Sequence, residues 1–163
     1  GMQFSFTGYS PNNTTSYYLI GVDTTTTRFI VYSNGNVVNT NGSYGAISDV
    51  KLKENIVDTS DKLEKLLKVR VVNYTLKEDP EKKPLIGVIA QELENVFSDL
   101  VGEVTRKVKD ENGNEIDETV KSVKYSVFVP ILIKALQEEN EKVESLKTEL
   151  AELKALLQEK GVI

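Results

Sequence analysis

The chain has 163 residues, with 20 basic and 25 acidic side chains, a net charge of −5 and no His, Cys or Trp. Those absences exclude a Ser-His-Asp triad, a Cys-His pair and an ordinary zinc site, so any chemistry must use Ser, Thr, Lys, Tyr or carboxylates. The acidic balance argues against a nucleic-acid partner, and no apolar run approaches the ~18 residues that cross a bilayer, which argues against a membrane partner.

Composition changes abruptly near residue 47. Only Asp23 and Arg28 are charged in the first 47 residues, which hold five of the seven tyrosines and many Ser, Thr and Asn. Gly1-Met2 reads as a remnant of tag removal ahead of a start methionine and is left out of the fold reasoning. Ser16 to Val22 and Thr27 to Tyr32 are β-prone. Ser33-Asn34-Gly35-Asn36 predicts a hairpin turn before Val37-Val38, because Asn and Gly tolerate the positive φ of tight turns. Such short, polar strands cannot bury a core alone and gain one from neighbours. A disordered Ser/Thr-rich linker is the alternative for this stretch.

From residue 48 the charge density rises and a small mixed domain is expected. Ser60-Asp61 is placed to cap a short helix through Leu67. Val69 to Thr75 reads as a strand, and Leu85 to Ile89 as a buried strand or strand-to-helix junction. A helix over Ala90 to Phe97 would turn Leu93, Val96 and Phe97 inward. Val101 to Lys109 and Glu118 to Tyr125 flank Asp110-Glu111-Asn112-Gly113-Asn114, a strong hairpin signal. Pro130 can start a helix that runs from Ile131 to Lys160 without further Pro or Gly. Val129, Leu136, Val143, Leu150 and Leu157 with Leu132, Leu146 and Leu153 form two heptad positions, a coiled-coil seam that Glu139 and Lys160 interrupt. The polar run Glu138 to Glu144 implies that the outer half of this helix projects. The expected architecture is α+β and self-associating: a β-rich end over 3–47, a mixed core over 48–130 and a coiled-coil helix over 131–163.

Without histidine, an activated nucleophile requires Ser or Thr beside a deprotonated Lys, and an apolar setting favours the neutral amine. Ser48-Asp49-Val50-Lys51-Leu52-Lys53-Glu54-Asn55-Ile56 stands at the composition boundary, where Ile47, Val50, Leu52 and Ile56 could supply that setting. Spacing alone leaves a turn cap at Ser48 and solvated lysines as the more ordinary reading.

The same segment resembles the signature that opens the C-terminal intramolecular chaperone of phage endosialidases, tailspikes and tail fibres, a family of self-cleaving Ser-Lys peptidases to which a segment of the myelin regulatory factors is related. Ile86-Gly87-Val88-Ile89-Ala90-Gln91-Glu92-Leu93 is similar to its central motif, and Val123-Lys124-Tyr125-Ser126 with the long helix to its end. Lys51 stands where the family usually has Arg, and Phe97-Ser98-Asp99-Leu100 lacks a common proline. The resemblance implies Ser48 as nucleophile, Lys53 as general base, Ile47-Ser48 as the scissile bond, and no cofactor or metal; Asp49 and Asn55 are in reach as orienting groups. It also implies a homotrimer that registers the upstream fibre or tailspike in the host cytoplasm and then cuts itself free, leaving the fibre in the virion tail. A permanent, uncut trimerisation foot or attachment module of the same fold is the alternative.

Overall fold

The computed structural model describes residues 4–9 and 11–162. Gly1-Met2, with its tag-remnant reading, lies outside the described residues. The chain divides into two compact units, Gly1–Ile56 and Val57–Ile163.

The first unit contains β1 (Tyr17–Val22), β2 (Thr27–Tyr32) and β3 (Val37–Asn39), joined as an antiparallel meander in the order β1-β2-β3. The second turn is the one the sequence predicts, and the first is closed by a local side chain. Asp23 closes the first by accepting the N–H groups of Thr25 and Thr26. Gly35 takes φ 86° in the second, a conformation open to glycine because it lacks Cβ. Phe6 meets Tyr9 and Tyr18 with ring centroids 5.3 and 5.0 Å apart. None of the described residues of this unit is buried, so the meander stands on hydrogen bonds and half-covered side chains. The unit closes with a single 3-10 turn over Val50–Leu52.

The second unit has a core. Its elements are α1 (Leu63–Leu66), β4 (Val72–Tyr74), β5 (Leu85–Gly87), α2 (Ala90–Glu94), β6 (Val101–Lys109), β7 (Glu115–Val123) and α3 (Phe128–Glu159). With the meander of the first unit, this makes the chain α+β. Strands β4 and β5 pair antiparallel, and β6 and β7 form a long ribbon in unbroken register from Val101↔Val123 to Lys109↔Glu115. At its tip Asp110 accepts the N–H groups of Asn112 and Asn114, and Gly113 takes φ 83°. Leu93, Phe97, Leu100 and Ile131 are buried together, with Leu66, Val88, Val96, Val101 and Phe128 against them. Leu93, Val96 and Phe97 turn inward as expected, although α2 ends at Glu94, so Val96 and Phe97 reach the cluster from the turn after it.

Three expectations are corrected. Ser60 and Asp61 do not cap α1, whose flanking Lys62 makes no side-chain cap. The cap comes from Glu138, 76 residues away, whose two carboxylate oxygens accept the N–H groups of Lys62 and Leu63 at 2.8 and 3.0 Å. Burial alone would raise the Glu138 carboxyl, but these donors and the nearby Lys134 and Lys142 outweigh it and hold the group below its ordinary value. Glu138 thus belongs to the packed face of α3 with Ile131 and Ala135, not to a projecting polar half. Helix α3 also begins at Phe128, two residues before Pro130, whose missing N–H falls in the first turn where no intrahelical partner is required. Its heptad residues Leu132, Leu136, Leu146, Leu150 and Leu153 lie on exposed surface in the single chain.

Candidate functional site

The lysine and serine singled out by the sequence meet. Lys53 Nζ lies 2.6 Å from Ser48 Oγ and donates to it. The backbone that brings them together is short. Asp49 is extended at φ −68° and ψ 138°, the 3-10 turn Val50–Leu52 follows, and Lys53 is extended again at φ −120° and ψ 144°. A fully extended chain would hold residues five apart about 17 Å from each other, so this single turn is what folds the lysine back. Asn55 then takes φ 52°, a left-handed conformation that Asn adopts more readily than most residues because its short polar side chain can bond locally.

The setting differs from the apolar pocket expected for a lysine base. Ile47 is 87% exposed, and Val50, Leu52 and Ile56 are exposed as well. The physical reason is local: every residue from 41 to 60 is exposed, so these apolar side chains have no packed surface to rest on within one chain. Among the described residues Lys53 has no carboxylate within ion-pair distance. Asp49 spends its side chain on the backbone, accepting Lys51 N–H through Oδ1 at 2.8 Å. Asn55 contributes its backbone conformation and shows no side-chain hydrogen bond to Ser48 or Lys53 among the described residues.

In the second unit, the other two motifs converge. The Tyr125 hydroxyl accepts Val88 N–H at 3.2 Å. Gly87 is buried, and a Cβ there would come within 2.6 Å of Tyr125 Oη and 3.2 Å of Tyr74 Cε1. Two tyrosine rings cover this position, so any Cβ there would force one of them to shift. Arg70, just ahead of β4, pairs with Glu92 of this motif, and Lys121 of β7 pairs with Glu94 beside it. Sequence reasoning did not link Tyr125 to Gly87, since their contact spans a hairpin and leaves no local pattern.

Comparison with known proteins bears on the first motif directly. Residues 48–102 match the family model described as the chaperone of endosialidase. The family resemblance read from the sequence therefore holds over this segment, and the match opens at Ser48. Myelin regulatory factor homolog 1 of Caenorhabditis elegans is 33% identical over 100 residues, covering 55% of this chain and 10% of that protein. The chain thus spans about a tenth of that relative's length. A solved structure, the carboxy-terminal domain of the bacteriophage T5 L-shaped tail fibre with its intra-molecular chaperone domain, covers 81% of this chain and 44% of its own at 12% identity, with a TM-score of 0.35.

Proposed function

We propose that this chain joins the end of a phage tail fibre or tailspike to an intramolecular chaperone, which trimerises, registers the fibre and cuts itself free between Ile47 and Ser48. The observation that carries the reading is the 2.6 Å approach of Lys53 Nζ to Ser48 Oγ at the first residue of the family match. Ser48 Oγ attacks the Ile47 carbonyl carbon while neutral Lys53 takes the hydroxyl proton. The C–N bond to Ser48 breaks, and Lys53 returns the proton to the leaving amine. Water then hydrolyses the ester, leaving an Ile47 carboxylate and a Ser48 amino terminus. Each chain turns over once.

The two halves give the reaction a physical purpose. The meander buries none of its described residues, so three copies must find register before any of them covers apolar surface. A trimer held by the heptad seam of α3 would supply that register. Removal of the template then leaves a fibre protected by the barrier to its unfolding.

An uncut foot of the same fold is favoured by one observation, the exposed surroundings of Lys53 in the single chain. The two readings separate by mutation. Ser48→Ala removes the attacking atom, and Lys53→Arg keeps the charge on a group that does not deprotonate. Both variants should remain whole by intact mass while the parent is cut, and Lys51→Arg should be cut at least as well as the parent. Cleavage of Lys53→Arg at the parent rate would eliminate the lysine-base mechanism.

A further inference from the structure

Ser48 and Lys53 sit at the two ends of a turn that little else supports. Three hydrogen bonds keep its shape: Asp49 Oδ1 accepts Lys51 N–H at 2.8 Å, the Asp49 carbonyl accepts Leu52 N–H at 3.0 Å, and the Val50 carbonyl accepts Lys53 N–H at 3.1 Å. Every side chain from 41 to 60 is exposed, so burial does not lock the segment. A three-residue 3-10 turn also has no further turns to share its nucleation cost, which makes each bond a large part of its persistence. Of the three, only the bond from Asp49 Oδ1 can be removed by changing a side chain.

We propose that Asp49 is a positioning residue for the cleavage: its side-chain oxygen caps the turn that sets Lys53 Nζ on Ser48 Oγ. This rests on reading Ser48 and Lys53 as the reacting pair, and it adds a reason for an acceptor at the position between nucleophile and turn. The requirement is for an oxygen that can accept Lys51 N–H, and a negative charge is not part of it. Asn supplies the same oxygen in the same place, and Ser is an equally common cap, whereas Ala supplies none. Asn55 serves the exit of the same turn, where its left-handed φ of 52° bends the chain away after Lys53.

The test follows conversion of the full-length chain to its 48–163 fragment by intact mass over time, in the parent and in Asp49→Ala, Asp49→Asn and Asp49→Ser, across a range of pH. Loss of a cap slows a reaction that needs the capped conformer, so Asp49→Ala should cut about tenfold more slowly. Asp49→Asn should recover the parent rate to within about twofold, with the pH dependence of the rate unmoved, and Asp49→Ser should recover most of it. Thermal melting of Asp49→Ala should match the parent, because the buried cluster lies wholly within Val57–Ile163. An Asp49→Ala chain cut at the parent rate overturns the inference while leaving the dyad in place. An Asp49→Asn chain as slow as Asp49→Ala, or one with a displaced pH profile, overturns it in favour of a direct charge effect on Lys53. A parent chain that stays whole refutes the dyad reading, and this inference with it.

Discussion

The two units of the chain solve the same problem differently. Val57–Ile163 brings Leu93, Phe97, Leu100 and Ile131 together from α2, the turn after it and α3, so distant segments share one buried cluster. Gly1–Ile56 has three strands, well-formed turns and a preassembled Ser48–Lys53 pair, yet none of its described residues is buried. Local hydrogen bonding can shape a segment without stabilising it, since the net gain per bond is about 1 kcal/mol against about 1–2 kcal/mol of backbone entropy per residue. Among the described residues, the first unit therefore lacks a buried cluster of its own, and the second has one.

That contrast can be broken most forcefully through α3. Leu146 and Leu150 are exposed in the single chain, so replacing both with Asp should leave the Leu93 cluster folded. In a self-associated chain the same change buries charge at the seam and costs several kcal/mol. Light scattering should then report dissociation at micromolar concentration, and amide exchange in β1–β3 should lose protection while α2 keeps it. Unchanged protection in β1–β3 would mean that the meander stands without association.

The next effect lies in the core itself. Leu93 is 2% exposed, and Leu93→Ala should cost about 3 kcal/mol in denaturant unfolding. Val38→Ala, at a 49% exposed site on β3, should cost less than about 1 kcal/mol wherever that surface meets solvent. A Val38→Ala loss as large as that of Leu93→Ala would show that a partner covers the meander.

A smaller effect tests the cover over Gly87. Gly87→Ala places a Cβ 2.6 Å from Tyr125 Oη and should cost roughly 1–3 kcal/mol. Combining it with Tyr125→Phe should lose about 1 kcal/mol less than the two single losses together, because the second change removes the atom in the way. Strict additivity would place the strain elsewhere.

The smallest effect is present at neutral pH and is lost only in acid. The Glu138 carboxyl is held below its ordinary value of 4.5, so its contribution is complete above that value and fades as pH falls through the lower, folded one. The parent should therefore melt above Glu138→Gln by roughly 5 °C at neutral pH, with the gap closing in strong acid. A gap independent of pH would separate the cap from the carboxylate.

Legibility in the sequence followed the range of the interactions. The strands β1 to β3, the hairpin at Asp110 to Asn114 and the inward face of Ala90 to Phe97 were readable because each is encoded within a few residues. Pairing of Ser48 with Lys53 was readable through the resemblance, since spacing alone left solvated lysines as the ordinary outcome. Glu138 was misread because its partners, the N–H groups of Lys62 and Leu63, lie 76 and 75 residues away. A charged residue in a polar run looks solvated until a distant helix end is set against it. Exposure of Ile47, Val50, Leu52 and Ile56 was misread for the converse reason: apolar type was visible, but the lack of a surface to pack on was not.

Intact-mass measurement of the freshly folded parent chain, with sequencing of any new amino terminus, tests the central claim most directly. The account predicts that the 18.2 kDa chain gives way to two fragments, 1–47 and 48–163, with Ser48 as the new first residue. A chain that stays whole at every concentration and pH tried, or a cut at any other bond, would contradict it.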